Sequence, residues 1–302
     1  MSTTVQQPQQ RTVMRSLPAG MVKAIRPRQW VKNVLVLAAP FVAGDIMDGR
    51  VLRHAAVAFL AFSLAASAVY LVNDVRDIEA DRAHPTKRHR PIAAGIVPPA
   101  AALVFAVVLM VGSLALSSVA SVPLLIVLGV YLVVQLSYCF WLKHQPVIDI
   151  CIVASGFLMR AIAGGVASKI PLSQWFLLAA GFGSLFMVAG KRYAEMIIAE
   201  RTGAKIRKSL ESYQPSYLRF VWGAAATLLI MTYSLWAFQL HEQFSSVWSE
   251  VSIVPFLVAV LRYAVDVDGG RGGEPEDIAL GDRVLQLLAF VWVATLVIGI
   301  YV

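Results

Sequence analysis

Nine apolar stretches, at 32–48, 53–72, 100–119, 122–142, 147–167, 173–190, 218–240, 251–267 and 283–302, constrain this chain more than any other feature. A helix needs about 20 predominantly apolar residues to cross the hydrocarbon of a bilayer, and most of these runs approach or reach that length. Gly, Pro and Ser inside several of them are compatible with membrane helices, because neighbouring helices satisfy the freed backbone groups. The predicted fold class is all-α: a polytopic membrane protein of nine transmembrane helices. Composition agrees. Only 15% of the 302 residues are charged, against about 25% in soluble domains, and the mean hydropathy is +0.70.

The net charge of +8 raises the question of nucleic acid, and the placement of the charges answers it. Arg11, Arg15, Lys23, Arg26, Arg28 and Lys32 precede or open the first run. Arg76, Arg82, Lys87, Arg88 and Arg90 follow the second, Lys143 the fourth, Lys191 through Arg219 the sixth, and Arg262, Arg271 and Arg283 surround the connection after the eighth. Most of the 26 Lys and Arg residues thus fall on one side, with Arg50, Arg53 and Lys169 opposite and Arg160 inside a run. By the positive-inside rule the amino terminus and the long connections are cytoplasmic, and nine crossings put the carboxyl terminus outside. The basic balance is topology; no nucleic-acid partner is expected. The predicted organisation is a disordered tail over 1–22 and one transmembrane domain over 23–302. Within that domain four helices are repeated by the next four and a ninth follows, with cytoplasmic loops at about 73–99, 191–217 and 266–282. Cys139 and Cys151 have no metal-ligand spacing and read as packing residues.

The first long loop opens where the second run ends, with Asn73, Asp74, Asp77 and Asp81. Spacings of three and four residues place the acids on one face of a helical continuation. Like charges so arranged repel unless a cation lies among them. Mg2+ accepts carboxylate oxygens, and substrate phosphates commonly complete its shell, so Asn73, Asp74, Asp77 and Asp81 are the candidate metal ligands. Asp74, Asp77 and Asp81 are candidate catalytic residues through that ion, and Lys87, Arg88 and Arg90 could contact the same phosphates. The competing reading is a solvated helix whose acids pair with their own Arg76, Arg82 and Lys87.

The second loop has the opposite sign. Lys191, Arg192 and Glu195 open it, and Lys205, Arg207 and Lys208 follow. Lys191 and Glu195 are spaced as an ordinary helix pair, yet the excess of positive charge suggests a site for a second anion. For Lys205–Lys208, attraction to lipid headgroups is the simpler reading. At the entrance of the first run, Trp30 and Arg26 read as interface anchors, while Gln29, Lys32 and Asn33 together suggest a binding role. Arg160 lies inside the fifth run, where charges are costly and face a polar cavity or partner; Asp149 lies at its edge. Gly164-Gly165 suits close helix packing. Tyr138 and Lys143 suit either the interface or the pocket, and His84, His89 and His144 read as solvated surface residues. The third connection contains Asp266, Asp268, Glu274, Glu276 and Asp277, with no assigned role.

The motif Asn73-Asp74-x-x-Asp77-x-x-x-Asp81, followed by Lys87-Arg88-His89-Arg90-Pro91 and Gly95 in a nine-helix chain, resembles the UbiA superfamily of intramembrane prenyltransferases over nearly its whole length. That resemblance implies a UbiA-type helical bundle with cytoplasmic cap loops and Mg2+, and is compatible with a homo-oligomer. Ordinary members carry a second Asp-rich motif where this chain has Lys191-Arg192-Tyr193-Ala194-Glu195. With Arg26 to Asn33, Tyr138, Lys143 and Arg160 to Gly165, the pattern is similar to the decaprenyl-phosphate phosphoribosyltransferase branch. The branch implies transfer of 5-phosphoribose from phosphoribosyl pyrophosphate to a polyprenyl phosphate, releasing pyrophosphate, on the way to cell-wall arabinan. It also implies Lys191 as a catalytic residue and Gln29, Lys32, Asn33, Asn73, Lys87, Arg88, Arg90, Tyr138, Lys143, Arg160, Lys191, Arg192 and Glu195 as substrate contacts, in a multi-pass protein of the cell inner membrane. The alternatives are prenylation of an aromatic acceptor, which the basic second loop disfavours, and transport of a polyprenyl-linked lipid. Transport predicts mid-membrane charges in both halves, and only Arg160 is so placed.

Overall fold

The computed structural model describes residues 17–203, 210–270, 278 and 281–302. Helix α1 spans 17–24, so residues 17–22, expected in a disordered tail, are helical. A 3-10 helix, Pro27–Leu37, leads into the short α2, Ala38–Val42; the first expected crossing is therefore two stacked pieces and not one α-helix. The α-helices that follow are α3 (Gly49–Arg76), α4 (Ile78–Ala83), α5 (Pro99–Ala120), α6 (Val122–Phe140), α7 (Ile148–Ser168), α8 (Gln174–Thr202), α9 (Pro215–Phe244), α10 (Trp248–Val251), α11 (Ile253–Asp268) and α12 (Arg283–Tyr301).

Their starts are written in local sequence. Asp48, Ser121, Ser173 and Asp282 each cap a helix by accepting backbone N–H bonds, which satisfies donors that the first turn leaves open. Pro99 and Pro215 open α5 and α9, where a missing N–H costs nothing. Gly203, at φ 67°, ends α8 in the left-handed conformation that glycine adopts without strain.

Among the described residues, six helices are long and apolar enough to cross a membrane: α3, α5, α6, α7, α9 and α12. The other three expected crossings fall on the 3-10 helix with α2, on α8 and on the sixteen-residue α11. The expected loops are also shorter than read from sequence. α3 continues through Arg76, α8 through Thr202 and α11 through Asp268, because charged residues extend a helix beyond its apolar run without breaking it. Lys205, Arg207, Lys208, Arg271, Glu274, Glu276 and Asp277 lie outside the described residues.

Val104, Val107, Val108 and Val111 on α5 recur at helical spacing and are 57–66% exposed. An outward apolar stripe of this kind suits lipid, not water. Inside, α3 packs on α5, α6 and α7, and α8 packs on α7 and α9. One approach governs the site. A Cβ on Gly164 would stand 1.9 Å from the Val36 carbonyl oxygen, so only glycine lets the 3-10 helix press its backbone onto α7. That contact puts Asn33, one turn before Val36, against Arg160, one turn before Gly164.

Candidate active site

Asp74 sits on the last turn of α3, 2% exposed, with both carboxylate oxygens bound by Nη2 of Arg26 at 2.5 and 2.8 Å. Arg90 Nη1 bridges Asp74 Oδ1 at 3.2 Å and Asp81 Oδ2 at 2.6 Å. Arg26 reaches this position from a left-handed backbone, φ 54° and ψ 62°, a conformation costing a non-glycine residue about 1–3 kcal/mol. Ser67 holds it there, donating to the Ile25 carbonyl at 2.9 Å and accepting from Trp30 Nε1 at 3.0 Å. The Arg26 guanidinium also lies 4.8 Å from the Tyr70 ring centre. Arg26, read from sequence as an interface anchor, thus also pairs with one of the candidate acids.

The three acids do not share one partner. α3 breaks at Asp77, and Asp77 pairs with Lys143 from the turn after α6, while Asp74 and Asp81 share Arg90. Among the described residues neither Arg76 nor Arg82 pairs with these acids, as the solvated-helix reading would have it. Arg82 instead donates to the Ala93 carbonyl at 3.1 Å, and Arg76 lies 5.1 Å from the Phe140 ring centre.

Deeper in the bundle, Arg160 is 6% exposed. Its Nε donates to Asn33 Oδ1 at 2.6 Å, Nη1 to the Gly156 carbonyl at 2.5 Å and Nη2 to the Tyr131 hydroxyl at 3.4 Å. Asn33 in turn donates to Ser63 at 2.9 Å. Gln29 and Lys32 are half-buried on the same 3-10 helix, and Tyr138 is half-buried on the last turn of α6.

A second charged group gathers at the start of α7. Asp149 is fully buried; Tyr213 donates to its Oδ1 at 2.7 Å, and Arg192 Nε lies 3.7 Å from its Oδ2. Arg192 Nη1 also faces Glu195 at 3.5 Å. The Tyr213 hydroxyl accepts the Val147 N–H, whose residue is held at φ 69°. Burial and the neighbouring Asp149 carboxylate push the Tyr213 hydroxyl well above the usual tyrosine range. Lys191, Arg192 and Glu195 lie on α8, with Lys191 and Glu195 half-buried. Sequence gave no sign of Tyr213 or Tyr131, whose roles depend on contacts with remote Asp149 and Arg160.

Asn73, Lys87 and Arg90 are half-buried, and Arg88 is exposed with Nε 3.4 Å from the His89 ring. Among the described residues no three His, Cys, Asp or Glu side chains converge as a metal cluster. The donor chemistry nonetheless fits a hard ion whose shell is shared with substrate phosphates. Asp77 pairs through Oδ1 and Asp81 through Oδ2, so each presents a further carboxylate oxygen. Both oxygens of Asp74 are already engaged by arginine.

The model of the UbiA prenyltransferase family matches residues 34–293. Decaprenyl-phosphate phosphoribosyltransferase of Mycobacterium tuberculosis is 65% identical over 284 residues, covering 93% of this chain and 94% of that protein. The protein of the same name from Corynebacterium glutamicum is 56% identical, covering 100% and 92%. Among solved structures, a UbiA homologue from Archaeoglobus fulgidus bound to GPP and Mg2+ superposes with a TM-score of 0.70 at 15% identity, covering 93% of this chain and 98% of that one.

Proposed function

The chain belongs to the UbiA prenyltransferase family, and from that premise we propose that it transfers 5-phosphoribose from phosphoribosyl pyrophosphate to decaprenyl or a similar polyprenyl phosphate. In this reaction the bond from ribose C1 to the pyrophosphate oxygen breaks, a bond from C1 to an acceptor phosphate oxygen forms, and pyrophosphate leaves. The names of relatives up to 65% identical support the reaction. The observation that carries it is Arg160: among the described residues no carboxylate pairs with this buried cation. A buried charge without a counterion is costly, and an anionic acceptor phosphate supplies that counterion.

Asp77 and Asp81 are the residues placed to hold Mg2+, with Asn73 beside them. Bound there, the ion supplies neutralisation of the charge that builds on the departing pyrophosphate. Lys143 and Arg90, fixed by their acids, present donors to the same leaving group, and such preorganised donors contribute most when charge develops. The acceptor phosphate is already anionic near neutrality, so the residues that matter orient it: Arg160 through Asn33, with Lys191 and Arg192 on α8. Gln29, Lys32 and Tyr138 border that half of the site. Lys87 and Arg88 stand by the donor.

We read all nine apolar runs as crossings, α8, α11 and the 3-10 helix with α2 lying among the six helices that are long and apolar enough to span on their own. We also place the site at the inner face of the cell membrane, on the strength of the charge asymmetry. The test is direct. Purified protein in detergent receives labelled phosphoribosyl pyrophosphate and a polyprenyl phosphate, with and without Mg2+. Labelled lipid is expected only with metal. Its absence, with product forming instead from a prenyl diphosphate and an aromatic acid, would replace this reading by aromatic prenylation.

A further inference from the structure

Beside the Arg26–Asp74 pair lies a cavity of about 270 Å³, none of whose lining residues except Arg90 has a role in the reaction as described. Its charged and polar wall is Lys23, Arg26, Asp74, Thr86, His89 and Arg90. Three formal positive charges therefore face one carboxylate. That carboxylate does not cancel them so much as aim them. Arg26 binds it through Nη2 and Arg90 through Nη1, and a guanidinium carries five donors in a fixed plane, so each arginine keeps further N–H groups.

The cavity is a product of tertiary packing. α1 seats on the segment after α4: Ala24, Ile92 and Val97 are buried together in one apolar cluster, and a Cβ on Gly20 would come within 2.7 Å of Ile96. α1 thereby carries Lys23 over the Thr86–Arg90 turn. The strained backbone of Arg26, at φ 54°, is the second sign that this corner is over-determined by its surroundings, as strain at working sites tends to be.

We propose that this cavity is a phosphomonoester subsite that takes the 5-phosphate of the ribosyl donor, with Asp74 as the positioning residue that orients Arg26 and Arg90 toward it. A phosphomonoester carries about −1.5 to −2 charges at neutral pH, and Lys23 with the remaining N–H groups of Arg26 and Arg90 supplies cationic donors for it. The same chemistry is present in the acceptor headgroup, but the apolar lining is only Ala24 and Pro91. A polyprenyl chain requires a long apolar groove, so the donor is the occupant. The assignment rests on the proposed transfer reaction, and it adds the feature that separates a phosphoribosyl donor from a prenyl diphosphate: a second phosphate, at the other end of the ribose, needs its own cationic corner.

The experiment measures binding of ribose 5-phosphate, inorganic pyrophosphate and farnesyl phosphate to the full chain in detergent by calorimetry, alongside turnover. Lys23 and His89 are exposed, so the double variant Lys23→Ala, His89→Ala keeps the fold, as a thermal melt verifies. Lys169→Ala, at the other end of α7, is the control. The double variant is expected to weaken ribose 5-phosphate about tenfold and to leave pyrophosphate and farnesyl phosphate within about twofold. Asp74→Asn is expected to raise the donor KM while leaving the Mg2+ activation constant unchanged, which a metal ligand could not do. Unchanged ribose 5-phosphate binding in the double variant overturns the subsite, and selective loss of farnesyl phosphate reassigns the cavity to the acceptor and overturns it equally. A wild-type chain that binds ribose 5-phosphate in a Lys23-dependent way yet makes no labelled lipid would instead sink the transfer reaction.

Discussion

Arg160 on α7 donates from Nε to Oδ1 of Asn33 at 2.6 Å, closing a separation of 127 residues. The contact exists because Gly164 admits the Val36 backbone, and it leaves a guanidinium deep in the bundle ringed by neutral groups. Phe62, Tyr131 and Phe157 present their rings to it at 5.3–5.8 Å. Such faces attract a cation weakly and do not discharge it.

Replacement of Arg160 by Met should therefore separate function from stability. Removing a buried cation without a counterion relieves desolvation, so the melting temperature is expected to hold or rise. Loss of the acceptor's charged partner should cost about 2–5 kcal/mol in acceptor binding, read as a higher KM for polyprenyl phosphate. A lower melting temperature with normal kinetics would make Arg160 a structural residue.

Asp77→Asn tests the metal. The Asp77 and Lys143 side chains are 29% and 17% exposed, so loss of their pair should change stability by about 1 kcal/mol or less. Mg2+-dependent labelling of lipid should fall by about a hundredfold or more. Near-normal activity would remove Asp77 from the metal shell.

Lys191 and Arg192 are neighbours in sequence with different expected phenotypes. Arg192 is 6% exposed and faces the buried Asp149, so Arg192→Met strands a carboxylate and is expected to destabilise by about 3 kcal/mol. Lys191→Met should melt normally and show impaired substrate use. Unchanged kinetics for both substrates in the Lys191 variant would take it out of the site.

Tyr213→Phe leaves Asp149 Oδ1 and the Val147 N–H without their partner, at an expected cost of about 1–3 kcal/mol. It should also alter the alkaline limb of stability. The folded state raises the Tyr213 hydroxyl above its ordinary value, chiefly by burial and then by the Asp149 carboxylate. Its contribution is thus complete below the unfolded tyrosine range, about pH 10, and is lost as pH climbs beyond it, where only the unfolded chain releases the proton. Denaturant midpoints between pH 8 and 11 should fall less steeply in the variant.

Gly164→Ala and Gly165→Ala differ by what stands in the way. The first Cβ meets the Val36 backbone at 1.9 Å, whereas the second meets Leu172 side-chain atoms at 2.5–2.9 Å. A side chain can rotate and a packed backbone cannot. Gly164→Ala is expected to cost about 3 kcal/mol or more and Gly165→Ala about 1 kcal/mol; equal melting temperatures would contradict the close approach.

What the chain alone determined is local. Apolar runs, end caps and the sign asymmetry of Lys and Arg depend on composition and short spacings, so the all-helical membrane class, most helix positions and the contrast between an acidic Asn73–Asp81 segment and a basic Lys191–Arg192 segment are legible in it. The spacing of Asp74, Asp77 and Asp81 also announced a shared face, but only tertiary packing divided them, giving Asp74 to Arg26 and Arg90 and Asp77 to Lys143. Those partners lie 48, 16 and 66 residues away. Whether a charge meets a metal, a substrate or another side chain depends on which remote group the packing brings within about 4 Å, and neighbouring residues along the chain carry no record of that.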